Sequence, residues 1–284
     1  MTERPIDDNL SEATFAELIK FTHDLTGITI QPNRKSMLVS RLRSRLRATG
    51  SPDFKAYMRL LKSDSSETEH YVNAVTTNKT LFYRTPRIWS YLIDDFVPAW
   101  IKAGHNRPME VWSGASSTGE EIYTAGMVLE EFRKKHPGFD YRIVGTDVSD
   151  RVVEIADKGV YSGRIIDMFK TSSPDLFAKY MVGNDADGYK VNSDIRSRIK
   201  FQRHNIFKPF QTRSKYDVSL LRNVLIYFTH EDQERAVANV ERSLRPDGVL
   251  IIGESESLSP LETNYVCVAP LIYRHRDLKV EKAA

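Results

Sequence analysis

Apolar positions recur at helical spacing through the first quarter of the chain. Phe15, Leu18, Ile19 and Thr22 form one set, Met37, Leu38, Leu42 and Leu46 a second, and Phe54, Tyr57, Met58 and Leu61 a third. Each repeats every three or four positions, as one face of a 3.6-residue turn requires, and Gly27, Pro32, Gly50 and Pro52 separate them. The spacing predicts an all-helical domain over residues 1–78. From Met109 the texture changes to short β-rich runs alternating with amphipathic stretches. Strands are predicted over 109–112, 141–146, 216–221, 249–253 and 265–274. Helices are predicted over 121–135, 150–159 and 230–244, the last stopped by Pro246, Asp247 and Gly248. Such alternation predicts an α/β fold with a mainly parallel sheet over 79–284. Within it, 177–201 reads as a polar hairpin insertion, a small antiparallel β-subdomain turning between Gly183 and Gly188.

Composition narrows the class only a little. With 284 residues, 40% of them hydrophobic, the chain can bury a normal core. A formal net charge of +3 is small, so any basic surface has to come from clustering. Cys267 is the only cysteine, which excludes a disulfide framework and a cysteine-rich zinc site. Residues 1–10 carry acids and no apolar core, unlike a secretory signal, and no apolar run approaches the roughly 20 residues of a membrane span. A cytoplasmic chain without membrane insertion is expected, with a loose charged tail over 277–284. The stretch from Asn184 to Gly188 superficially suggests a calcium loop. Counting from Asp185, however, the twelfth position is Arg196 where a bidentate glutamate is needed, so a turn and no metal are expected.

The candidate chemistry centres on Val111-Trp112-Ser113-Gly114-Ala115-Ser116-Ser117-Thr118-Gly119-Glu120-Glu121, a small-residue loop between a predicted strand and a predicted helix. Gly114 and Gly119 fit the spacing of a phosphate loop, but Glu120 and Glu121 stand where lysine and Ser/Thr belong and would repel a triphosphate. A dinucleotide fingerprint needs another glycine and an acid about 20 residues on, and neither is present. A nucleoside cofactor with no phosphate and some positive charge remains, and S-adenosylmethionine meets both conditions. The alternative is an ordinary strand-to-helix turn.

In an open α/β sheet the ligand lies beyond the carboxyl ends of the strands. Asp147, ending the run Ile143-Val144-Gly145-Thr146, is placed to accept two ribose hydroxyls, or else to cap the next helix, a task Ser149 could perform instead. A second feature is the basic stretch Arg34, Lys35, Arg41, Arg43, Arg45 and Arg47, with no acid between its ends. On a helix, Leu38, Leu42 and Leu46 form the buried stripe, Arg41 and Arg45 flank one side, and Arg43 and Arg47 the other. That face suits an acidic partner helix; a solvated basic helix and a phosphate-binding surface are the other readings.

Three segments together carry a specific resemblance. Thr76-Thr77-Asn78-Lys79-Thr80-Leu81-Phe82-Tyr83-Arg84, the loop from Val111 to Glu121, and Arg222-Asn223-Val224-Leu225-Ile226-Tyr227-Phe228 resemble, in order, the chemotaxis receptor methyltransferases, the CheR family. The likeness covers nearly the whole chain. It implies a helical N-terminal domain followed by a Rossmann-like class I S-adenosylmethionine methyltransferase domain with an inserted β-subdomain. The implied reaction carries a methyl group to glutamate side chains of chemoreceptor cytoplasmic helices, leaving S-adenosylhomocysteine. By the same resemblance, Asn78, Thr80, Arg84, Gly114, Ala115, Ser116, Glu121, Asp147, Val148, Asn205, Ile206, Arg222 and Asn223 line the cofactor pocket. Glu121 is expected to face the cationic amino-acid end. Arg84 and Tyr227 match the positions nearest the transferred methyl, and Tyr83 departs mildly from the phenylalanine usual there. Arg41, Arg43, Arg45 and Arg47 are expected to bind the receptor, with a monomeric enzyme and no nucleic acid as partner. Some members tether to a receptor's C-terminal peptide through the β-subdomain edge. The short turn over 182–191 implies that this chain does not depend on such a tether.

The chemistry agrees with this reading. A glutamate has an ordinary pKa of about 4.3, so the acceptor is ionised at neutral pH and needs no general base. The absence of a Ser/His/Asp or Cys/His set follows. A nucleic-acid amino methylase is a rival, but Arg222-Asn223-Val224-Leu225 stands where an Asn-Pro-Pro-aromatic motif would be. A non-catalytic receptor adaptor is the other rival.

Overall fold

The computed structural model describes residues 9–210 and 214–277. The expectations for the tail beyond Asp277 and for residues 1–8 lie outside the described residues.

Four helices come first: α1 (Glu12–Thr26), α2 (Lys35–Thr49), α3 (Phe54–Ser63) and α4 (Ser65–Val75). Ser11, Asp53 and Asp64 accept backbone N–H groups at the starts of α1, α3 and α4, and Gly27 and Gly50 end α1 and α2 in left-handed conformations. Leu38, Leu42 and Leu46 are fully buried against Phe15, Leu18, Tyr57, Leu61 and Tyr71. Helix α4 had no counterpart in the sequence reading; its apolar face is only Tyr71, Val72 and Val75, spaced among polar residues.

A link over 76–85 leads to α5 (Pro86–Ser90), a wider π turn (Tyr91–Phe96) and α6 (Val97–Lys102). The main unit then runs β1 (Met109–Gly114), α7 (Glu120–Lys135), β2 (Tyr141–Asp147), α8 (Asp150–Lys158), β3 (Val160–Tyr161), α9 (Arg164–Ser172), α10 (Pro174–Tyr180), β4 (Met181–Asn184), β5 (Gly188–Val191), α11 (Ser193–Arg196), β6 (Ile199–Arg203), β7 (Tyr216–Leu221), α12 (His230–Ser243), β8 (Leu244–Ile252), β9 (Tyr265–Ala269) and β10 (Ile272–His275). Seven strands form one sheet in the order β6-β2-β1-β7-β8-β10-β9. The first five are parallel, and β10 and β9 close the far edge as an antiparallel hairpin. The fold is therefore a doubly wound, Rossmann-like sheet with an antiparallel edge hairpin, behind an all-helical domain.

Four local expectations change. The single strand predicted over 265–274 is two strands, because Leu271 takes φ 72 and reverses the chain. Helix α12 stops at Ser243, and Pro246 to Gly248 bulge within β8 between the Tyr216–Leu244 and Val218–Val249 pairs. Within 177–201, strand β6 leaves the hairpin and forms an edge of the main sheet beside β2. The hairpin β4–β5 instead gains a third strand from upstream, β3, and Asn184 turns it by accepting the N–H groups of Ala186 and Asp187.

The helical unit is fastened to the sheet at its ligand end. Phe207 packs on Gly27 so closely that an added Cβ would sit 1.8 Å from its ring. Asn205 donates to Leu25 O at 2.9 Å, Thr29 N to Tyr227 O at 2.9 Å, and Ser149 Oγ to Asn73 at 2.5 Å. His23 pairs with Asp232 at 2.7 Å.

Candidate active site

Strand order reverses between β1 and β7, where a doubly wound sheet leaves a crevice at its carboxyl ends. The crevice there opens to solvent and is walled by residues from the loops after several strands and from the link. Ala115, Ser117 and Glu121 line it from the glycine loop, and Asp147, Val148, Asn205 and Ile206 from the ends of β2 and β6. Arg222, Asn223 and Tyr227 line it from the segment after β7, and Asn78, Thr80 and Arg84 from the link. Two residues expected in this set are not in the wall. Gly114 lies behind Ile206, whose Cδ1 would be 2.9 Å from an added Cβ, and Ser116 is 2% exposed with its N–H on Thr146 O. Ser117 stands in their place. The sequence reading also missed Thr26 and Ile28, which the helical unit contributes, and His204 and Phe228. No linear motif marks Thr26 and Ile28; only the docking of α1 on Phe207 brings them there.

Backbone strain concentrates at this crevice. Of the six described non-glycine residues with left-handed φ, five belong to its loops: Tyr83 (53°), Thr85 (61°), Ala115 (68°), Ser117 (51°) and Asn223 (59°). Each such residue costs about 1–3 kcal/mol and persists only when its surroundings over-determine it. Tyr83 N donates to Thr124 Oγ1, Ser117 N to Asp147, and Thr85 Oγ1 accepts from Arg222 at 2.8 Å. Arg84, between two strained neighbours, has its carbonyl held by Trp89 Nε1 at 3.0 Å, and its side chain lines the crevice.

The acids divide their work. Asp147 accepts the N–H groups of Ser117 at 2.9 Å and Ser149 at 3.1 Å, so it pins the glycine loop to the end of β2. Burial pushes its carboxyl up, and the N–H groups of Ser149, Ser117 and Val148 only partly offset that. The capping of α8 belongs to Ser149, which accepts from Val152 N. Glu120 turns away: it is 1% exposed, bonded by Thr118, and pushed up by burial. Glu121 lines the crevice, but it is not a lone counter-charge. Arg222, its side chain wholly buried, donates to it at 2.7 Å, and Ser113 at 3.0 Å. The Arg222 guanidinium, bonded also to Thr85 Oγ1, braces Glu121 from within the wall, and the Glu121 carboxylate is the charge that reaches the crevice.

The four arginines expected on a partner surface also divide. Arg41 donates to Val75 O, to Thr76 O at 3.0 Å and to Thr77 Oγ1 at 2.7 Å, fastening α2 to the start of the link. Arg45 grips Glu67 with two bonds of 3.0 and 2.5 Å, and Tyr57 donates to the same carboxylate at 2.6 Å. These two hold the helical unit together. Arg43 and Arg47 lie on the exposed side of α2.

Comparison with known proteins then decides the family. A family model for the CheR methyltransferase S-adenosylmethionine-binding domain matches residues 78–271, and one for its all-alpha domain matches 13–76. The chain belongs to the CheR methyltransferase family. Chemotaxis protein methyltransferase 1 of Pseudomonas aeruginosa is 30% identical, covering 93% of this chain and 98% of that one. The chemotaxis protein methyltransferase of Escherichia coli is 30% identical over 96% of this chain and 93% of its own, and that of Borreliella burgdorferi 27% identical over 94% and 95%. This CheR-family chain is thus an S-adenosylmethionine-dependent methyltransferase of chemotaxis, with S-adenosylmethionine as its cofactor. The lining fits that molecule: a buried strand-end carboxylate, apolar Ile28, Val148, Ile206 and Phe228, and the Glu121 carboxylate braced by Arg222. Among the described residues no helix is long and apolar enough to cross a membrane.

Proposed function

We propose that this protein transfers a methyl group to glutamate side chains on the cytoplasmic signalling helices of chemoreceptors, giving glutamate methyl esters and S-adenosylhomocysteine. In this reading residues 1–78 are the receptor-facing helical domain and 79–284 the methyltransferase domain, acting as a cytoplasmic monomer. The observation that carries it is Arg84, a cation held at the crevice between two left-handed residues, with Tyr227 in the same wall.

When bound, S-adenosylmethionine supplies a methyl carbon activated by a neighbouring sulfonium. The chain would hold it through Asp147, Val148, Ile206, Asn223 and Glu121, the last braced by Arg222. Asn78 and Asn205 shape the wall: Asn78 O accepts from Ser117 Oγ, and the Asn205 side chain bonds Leu25 O and Phe207 N. Arg84 orients the acceptor carboxylate, and Tyr227 fixes its rotation through the hydroxyl. Neither group takes a proton from the acceptor, which is already ionised at neutral pH. Their contribution is alignment, an effect worth several kcal/mol of barrier when the reacting atoms are held near contact. Arg84 must not bind the ground-state carboxylate too tightly, since only interactions favouring the transition state raise the rate.

The test incubates wild type and Arg84→Ala with methyl-labelled S-adenosylmethionine and either receptor signalling domains or total RNA. Base-labile label on receptor glutamates, lost in Arg84→Ala, is the expected result. Label in RNA, or full activity of Arg84→Ala, would overturn the reading.

A further inference from the structure

The segment after β7 supplies Arg222, Asn223, Val224, Tyr227 and Phe228 to the crevice, yet within Asn223 to Leu225 no side chain of the segment itself secures the backbone. A carboxylate from another strand end does. Glu256, three residues beyond Gly253 and the end of β8, accepts four backbone N–H groups: Asn223 at 2.9 Å and Gly253 at 2.6 Å on Oε2, and Val224 and Leu225, both at 2.8 Å, on Oε1. Its own N–H closes a turn on Gly253 O at 3.1 Å. The carboxylate therefore ties the ends of β7 and β8 together across their loops.

The surroundings are built for this one group. An added Cβ on Gly253 would lie 2.7 Å from Glu256 Oε2, 2.7 Å from Asn223 Nδ2 and 2.8 Å from Asn223 N, so a side chain at 253 would displace the carboxylate. Asn223 takes φ 59, a conformation that non-glycine residues adopt at a cost, and converging N–H groups of this kind form a concave anion site. Here the anion is part of the chain. Four lone-pair positions meet four donors, a complement an uncharged amide cannot supply because half of it is itself a donor. Glu254, two residues earlier, is exposed and only 3.7 Å from exposed Arg87, so it has no such role.

We infer that Glu256 is the positioning residue of the crevice, holding the Arg222–Tyr227 segment so that Asn223 meets the cofactor and Tyr227 faces the acceptor. It touches neither. The inference rests on the reading of the crevice as the cofactor site, and the two are separable by measurement. Calorimetry with S-adenosylhomocysteine on the wild-type full chain tests the site itself: no binding there overturns the site. With binding established, Glu256→Gln is expected to weaken it about tenfold and to lower kcat about 100-fold, the size of effect a displacement near 1 Å produces. Hydrogen exchange should quicken at the amides of 223–225 while β1, β2 and β7 stay protected and the urea midpoint holds. Glu256→Asp, which keeps the charge with a shorter reach, should fall between the two and serves if the glutamine variant does not fold. Wild-type affinity and kcat in Glu256→Gln would overturn the inference. So would loss of protection across the whole sheet with Glu256→Asp equally damaged, which marks a general structural role.

Discussion

Glu67 in the helical unit and Asp147 and Glu256 at the crevice are carboxylates satisfied in opposite ways. Glu67, with a side chain 5% exposed, is met by side chains: Arg45 twice and Tyr57 once. Asp147 and Glu256 are met by backbone N–H groups on loops that line the ligand space. A carboxylate bonded to side chains locks helices against each other and leaves the backbone regular. One bonded to backbone N–H groups shapes a loop, and left-handed residues such as Ser117 and Asn223 gather beside it. The difference separates Glu67, which keeps the fold, from Asp147 and Glu256, which shape the site's loops, while Glu121 lines the crevice and is bonded to the Arg222 and Ser113 side chains.

The largest expected effect falls where the two regions join. Gly27→Ala forces a side chain into the Phe207 ring at a residue with φ 74. Overpacking and left-handed strain together should destabilise the chain by about 3 kcal/mol, read from the urea midpoint. Because Thr26 and Ile28 line the crevice, S-adenosylhomocysteine binding should weaken in parallel. A stability loss without any change in binding would show that the helical unit is not a working wall of the site.

Next in size is Arg84→Ala, whose expected loss of about 100-fold in kcat corresponds to roughly 2.7 kcal/mol in the barrier. It should leave the urea midpoint unchanged. Glu67→Gln inverts this pattern. Leaving Arg45 without its buried partner should cost about 2 kcal/mol of stability with cofactor affinity intact. It also has a pH signature. Burial by itself would push the Glu67 carboxyl up, but the bonds from Arg45 and Tyr57 hold it below the ordinary glutamate range. A folded pKa below the unfolded value means the stabilisation is present above about pH 4.3 and lost as pH falls through the folded pKa. Unfolding midpoints of wild type and Glu67→Gln should therefore draw together as pH falls below the ordinary glutamate range and meet once it is below the folded pKa. Midpoints that stay apart there would show that packing, not charge, holds Glu67.

How much of this was legible beforehand follows the same division. The leucine stripe of α2 and the strand preceding Asp147 could be read because periodicity reports burial, and burial governs the helical unit and the sheet. The crevice loops could be located by their residues but not shaped. Thr85 and Asn223 carry no outward mark of a left-handed backbone, and the partners that hold them are far away in sequence, Arg222 for Thr85 and Glu256 for Asn223. Pro246-Asp247-Gly248 is a turn signal that serves a helix stop or a strand bulge equally well, and pairing with β7 chose the bulge. A two-residue strand such as Val160–Tyr161 is too short for alternation to register. On α2 the helical wheel correctly parted Arg41 and Arg45 from Arg43 and Arg47. It could not say which side meets α4, and so which pair is structural.

That parting supplies the smallest predicted effect. Arg43 and Arg47 are exposed, and the proposed receptor surface narrows to their side of the helix. Exposed charges of this kind contribute under about 1 kcal/mol each and act mainly through long-range attraction. Replacing both by alanine should raise KM for receptor signalling domains a few-fold at low ionic strength and leave kcat and cofactor affinity unchanged. Salt should close the gap, since at about 0.15 M the screening length is about 8 Å. Replacing Arg45 alone should instead lower the urea midpoint, because its guanidinium is bonded to Glu67. If Arg45→Ala raised KM in a salt-dependent way without loss of stability, the assignment of the two sides would have to be reversed.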